Sequence, residues 1–157
     1  MRNDRKGMTL VEIMMVVLVL SIMAMIVVPK ISVSSDDARE SALLTDLRTA
    51  REMIRLYKVE HHGRSPHVNE IYQKDTGNFV ARMTQKTDPD GALNPNGSCG
   101  PYLREWPSNP YSSSDVAQDI KFGKNPPSPR DGSTGWYYAT KAHQIYPNSG
   151  TGGESAD

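Results

Sequence analysis

The chain has 157 residues, with 18 basic and 18 acidic side chains, so it has room for one domain beside a long helix and carries no net charge. That balance argues against a nucleic-acid binder, which gathers its ligand with a basic surface. The lone cysteine, Cys99, excludes an intrachain disulfide and reads as a small, partly buried residue.

The first segment, MRNDRKG, sets Arg2, Arg5 and Lys6 against Asp4. An apolar run follows from Met8 to Val28, interrupted only by Thr9, Glu12 and Ser21. At roughly 1.5 Å per residue a helix of that length matches a hydrocarbon core of about 30 Å. The basic leader predicts a cytoplasmic N-terminus and an exported remainder. A conventional cleaved signal would have a shorter core and a small-x-small site, and the continuation into VVPKIS has neither. Glu12 is the anomaly. A lipid-facing carboxylate costs roughly 2 to 3 kcal/mol at the bilayer centre and less near its edge, so the acid calls for a partner or a route to the interface.

Beyond Pro29 the pattern becomes amphipathic. Leu43, Leu47, Ala50, Ile54 and Tyr57 fall on one helical face, while Arg39, Asp46, Arg48, Glu52, Arg55 and Lys58 decorate the rest. Gly63 suits a left-handed cap and Pro66 blocks continuation, so one helix is predicted over 9–61. Pro29 removes a single backbone hydrogen bond and is read as a kink rather than a stop.

The rest is loop-rich. Phe79, Val80 and Met83, after candidate caps Thr76 or Asn78, predict a short helix. TDPDGALNPNGSCG reads as turns, and GPYLREWPSNPY as a short extended piece bounded by prolines. TGWYYAT and HQIYPNS form a hairpin pattern around Lys141 and Ala142. The expected fold class is α+β: a long helix on a small antiparallel sheet of three or four strands. Its expected core is Leu47, Ile54, Tyr57, Leu103, Trp106, Trp136, Tyr138 and Ile145. The tail NSGTGGESAD has the composition of a flexible end.

Catalytic and metal signatures are weak. His61, His62 and His67 lack a carboxylate or cysteine at ligand spacing and read as a solvated loop. Asp88, Asp90 and Gly91 fit a turn better than a calcium loop, because Leu93 and Cys99 stand where that motif needs glycine and a bidentate Glu. No nucleophile elbow, phosphate loop or dinucleotide fingerprint occurs, and the chain is not expected to be an enzyme.

The string KGMTLVEI, the apolar run and VVPKI together resemble the N-terminal signature of type IV pilins and type II secretion pseudopilins. The resemblance implies a pilin-like fold and a leader, residues 1–7, cut by a prepilin peptidase between Gly7 and Met8, with N-methylation of Met8. Met8 stands where the family usually has Phe, and Ser21 where it commonly has glycine. Glu12 would then serve filament assembly by pairing with the Met8 amine of an adjacent copy. The implied organisation is a transmembrane and assembly helix at 8–29, an amphipathic half at 30–62, a loop-rich globular part at 63–147 and a flexible tail at 148–157. YKVEHHGRSP, FVARM and GPYLREWPSNPY are further similar to segments of the major pseudopilins.

What the resemblance implies is a structural subunit of a periplasmic pseudopilus of a type II protein secretion system. Its partners would be further copies of itself, other pseudopilins, the prepilin peptidase and the assembly platform in the inner membrane. A type IV pilus subunit, major or minor, in adhesion, motility or DNA uptake shares every N-terminal feature. No cofactor is implied beyond calcium, which major pseudopilins hold in a loop near the C-terminus. Asp131 in PRDGSTG is the one aspartate in a comparable loop.

Overall fold

The apolar run and the amphipathic segment form one unbroken helix. A computed structural model describes residues 9–149, with the backbone alone at 26–34, and in it α1 spans Leu10–Glu60. The helix passes through position 29 without a break, so Pro29 does not end it. Its C-terminus follows the expected chemistry. His62 and Gly63 both take left-handed backbone angles (φ 55° and 82°), and the Gly63 amide donates to the Lys58 carbonyl at 2.7 Å. Glycine adopts that geometry without the Cβ penalty other residues meet.

The chain divides into two units, Met1–Ala38 and Arg39–Asp157. In the second, Leu43, Leu47, Ala50, Ile54 and Tyr57 are 0–2 % exposed, as their spacing requires. They pack with Phe79, Met83, Trp106, Trp136, Tyr138 and Ile145 in one core. Each large apolar side chain buried there contributes about 1.5 to 3 kcal/mol. Phe79 is the hub of its rings, meeting Trp106 edge-on at 5.5 Å, Phe122 at 5.5 Å and Tyr138 at 4.9 Å. Leu103, expected in the core, is half-buried at its edge.

The short helix α2 spans Phe79–Thr84 and sends Phe79, Arg82 and Met83 inward. Asn78 is its N-cap residue but makes no capping bond. Its amide nitrogen donates instead to Asp75 Oδ2 at 2.9 Å. The segment after it forms no strand. Tyr102 and Leu103 both donate to the Met83 carbonyl, at 3.0 and 2.9 Å, and Pro101, Pro107 and Pro110 lack the amide hydrogens a ladder needs.

Three strands make the sheet: β1 Ile120–Gly123, β2 Trp136–Ala139 and β3 Gln144–Pro147, in that spatial order. β2 and β3 form the expected antiparallel hairpin, with Tyr138 opposite Ile145. β1 corrects the all-antiparallel expectation, because it pairs with β2 in parallel, Ile120 opposite Trp136. The link over 124–135 is long enough for the return crossover that parallel pairing demands. Gly135 lets it close tightly, since a Cβ there would lie 2.0 Å from the Ala117 carbonyl oxygen. A second correction concerns the tail. Asn148 and Ser149 are buried, so the ordered chain reaches beyond Pro147.

Candidate functional site

The N-terminal turn of α1 is built by Thr9 and Glu12. Thr9 stands just before the helix, and its hydroxyl accepts from the Glu12 amide at 3.3 Å, while Glu12 Oε2 accepts from the Thr9 amide at 3.4 Å. This is a reciprocal capping box, with the acid at the positive end of the helix dipole. The Thr-x-x-Glu spacing before an apolar run was a readable signal for it. Glu12 is exposed, as is every described side chain from Leu10 to Met25.

That exposure is the main feature of the first unit. Large apolar side chains from Leu10 to Met25 are 43–82 % exposed, and they point in every direction around the helix. The Ser21 hydroxyl donates to the Val17 carbonyl at 2.8 Å, so its polarity is spent within the helix. Met15, Val16, Val19 and Leu20 line a shallow groove of about 250 Å³ with wholly apolar walls. Among the described residues no helix is long and apolar enough to cross a membrane. Gly7 and Met8, the expected cleavage and methylation positions, lie outside the described residues, as does the side chain of Pro29.

The polar residues of the second unit are mostly spent on holding its loops. Arg82, 2 % exposed, donates to Asp75 Oδ2 at 2.6 Å and to the carbonyls of Gly91, Pro66 and Asp75. Arg64 donates to the carbonyls of Asp90 and Glu70 and lies 4.2 Å over the Tyr72 ring. Arg51 donates to the Ile145 carbonyl at 3.1 Å. Arg51 and Arg64 are therefore committed to the fold.

The histidines correct the solvated-loop reading. His62 is exposed, but His61 and His67 are buried. His61 stacks on Tyr57 at 3.8 Å and bridges the Tyr57 carbonyl at 2.8 Å and the Thr87 hydroxyl at 2.9 Å. Burial holds it below the usual histidine range, so the neutral ring donates through Nδ1 and accepts through Nε2. His67 lies 5.5 Å from His143 and 5.4 Å from Tyr138. Burial, then His143, Lys74, Arg82 and Lys58, push it down to about 4. Among the described residues no three ligand-type side chains gather where they could hold a metal.

Asp88 and Asp90 do turn work: Asp88 accepts from Asn94 Nδ2 at 2.9 and 3.0 Å, and Asp90 from the Ala92 amide at 3.0 Å. Cys99 is buried and unbridged. Asp131 lies in the link between β1 and β2. Its Oδ1 accepts from the Ser133 amide (3.1 Å), the Ser133 hydroxyl (2.8 Å) and Asn148 Nδ2 (2.8 Å), and its Oδ2 from the Lys121 ammonium. These donors, Lys121 first, hold its carboxyl far below the usual range. Calcium takes six to eight oxygens. A carboxylate ringed by four hydrogen-bond donors, one of them a cation, does not fit it.

The family signature described as the prokaryotic N-terminal methylation motif matches residues 2–28. The type II secretion system core protein G of Vibrio cholerae is 28 % identical over 115 residues, covering 72 % of this chain and 71 % of that one. The protein of the same name from Pseudomonas aeruginosa is 28 % identical over 130 residues, covering 78 % and 89 %. That from Klebsiella michiganensis is 25 % identical over 111 residues, or 70 % of each. No solved structure gives a significant match. The methylation motif lies on a stretch of helix whose described side chains are all exposed, and relatives sharing a single name align over two thirds or more of the chain; the chain carries the prokaryotic N-terminal methylation motif and is similar to the type II secretion system core protein G of several bacteria.

Proposed function

We propose that the chain is a pseudopilin: a structural subunit of a periplasmic filament of a type II secretion system, held in the inner membrane by its N-terminal helix before assembly. The observation that carries this is the methylation motif on a helix half that is apolar on all sides and whose described side chains from Leu10 to Met25 are all exposed. Such a surface is stable only in lipid or against copies of itself. Both surroundings are apolar, so exchanging one for the other changes hydrophobic free energy little. In this reading a prepilin peptidase cuts between Gly7 and Met8, the new Met8 amine is methylated, and the work is mechanical rather than catalytic.

Glu12 then has two states. In the single subunit its carboxylate is occupied by its own helix end, through the Thr9 amide. In a filament it pairs with the Met8 amine of the adjacent copy, and attraction between unlike charges in a dry bundle favours one axial register. Glu12→Val removes the charge and keeps the helix apolar. The variant is expected to insert in the membrane at normal levels and to form no filaments when assembly is scored by electron microscopy. Filaments of ordinary length and number from it would exclude the role. N-terminal sequencing of assembled subunits tests processing separately, with methylated Met8 as the expected first residue.

A further inference from the structure

The link between β1 and β2 is a polar clasp closed by Asn148, which is 1 % exposed although it follows the last strand. Its carbonyl accepts from the Gly132 amide at 2.8 Å, and its own amide donates to the Gly135 carbonyl at 3.0 Å. Its side-chain nitrogen reaches Asp131 Oδ1 at 2.8 Å and the Thr134 hydroxyl at 3.0 Å. Thr134 in turn donates to the Trp136 carbonyl at 2.8 Å. One asparagine thus ties the link at Asp131, Gly132, Thr134 and Gly135, immediately before β2 enters the core.

The clasp gathers negative charge on Asp131, and the only ammonium or guanidinium bonded to that carboxylate among the described residues is Lys121, from β1. We propose that Lys121 supplies, from within the chain, the positive charge that a bound calcium ion would otherwise bring to this loop, so that the fold is independent of calcium. Three features support this. Asn148 turns its amide NH₂ group, not a carbonyl, toward the carboxylate, which is the wrong polarity for ligating a cation. Ser133 spends its hydroxyl hydrogen and its amide on the same carboxylate oxygen. Lys121 sits at the second position of β1, opposite Tyr137 of β2, so the sheet itself fixes the base from which it reaches Asp131. A divalent ion would have to displace that lysine and assemble five or more further oxygens around one carboxylate.

Thermal melts of the full chain in detergent test this, comparing millimolar calcium with excess EGTA. The wild-type midpoint is expected to move by less than about 1 °C between the two. Lys121→Met is expected to melt about 2 to 4 °C lower at low salt, since the pair is half exposed and worth a fraction of a typical domain's stability. Lys121→Arg, which keeps the charge, should stay within about 1 °C of wild type. The gap between wild type and Lys121→Met should shrink at molar salt, where exposed pairs are screened. A calcium-dependent rise of several degrees in the wild type would overturn the proposal, as would a Lys121→Met variant that melts with the wild type at low salt. Both readouts are independent of filament formation.

Discussion

The two halves of α1 use the same backbone and nearly the same apolar residue types, yet they have opposite surroundings. Between Leu43 and Tyr57 the apolar side chains keep to one stripe, and that stripe is buried against Phe79, Trp106 and the sheet. Between Leu10 and Met25 they occupy all faces, and every described one is exposed. A stripe can be satisfied by one partner on one side, which a short chain can supply from its own C-terminal half. A surface apolar all round needs neighbours in all directions, which a single small domain cannot provide. The arrangement of apolar positions, rather than their number, decides which half of the helix folds with its own chain and which waits for other molecules.

The comparison breaks most sharply under truncation. Phe79→Ala empties the hub of the second unit's rings and is expected to destabilise it by about 3 to 5 kcal/mol in denaturant titrations. Leu18→Ala, an apolar truncation in the outer half, should leave that transition within about 0.5 kcal/mol of wild type. Equal losses from the two would mean that the outer half shares the core's stability. The contrast between them would then be lost.

The contrast was largely legible in the sequence. Spacings of three and four located the buried face, Gly63 with Pro66 located the helix end, and WYYA with QIYP located the hairpin. Parallel pairing of β1 was not legible, because IKFG is a four-residue piece with a half-buried pattern and its partner lies beyond a long link. Arg82 was not legible either. Nothing local marks a charged residue that will be buried, since its partners come from Asp75, Pro66 and Gly91, carbonyls that only the folded loops bring together. The same holds for His67, whose surroundings are built by three separate segments. At the N-terminus the Thr9–Glu12 cap was written in the spacing, whereas the pairing of Glu12 with another copy came from family resemblance alone.

An acid titration sharpens the comparison at intermediate size, because every histidine found buried lies in the second unit. His61, His67 and His143 are all held below the ordinary value, mainly by burial. A histidine depressed in the folded state binds its proton more readily when unfolded. Its contribution is therefore complete above about 6.5 and is lost as pH falls from there toward about 4, the value for His67. The expected loss attributable to His67 is about 1 to 3 kcal/mol, read from denaturant midpoints between pH 7 and pH 4. His67→Gln should flatten that slope. An unchanged slope would show that the acid sensitivity arises elsewhere, for example from His61 or His143, which are also held below the ordinary value.

The smallest effect tests whether the outer half is held by anything beyond its own helix. Thr9→Ala removes one side of the capping box while leaving Glu12 and the apolar surface in place. Losing such a cap costs about 0.5 to 1 kcal/mol, a two- to fivefold change in local opening. Hydrogen exchange in detergent should register it at the amides of the first turn, Val11 to Ile13, and nowhere in the second unit. The effect stays local because the outer half makes its bonds with itself: Thr9 with Glu12, and Ser21 with Val17. Faster exchange spreading to Leu47 or Ile54 would show the two halves to be mechanically coupled, and the outer half would then be a part of the fold rather than a surface held ready for other copies.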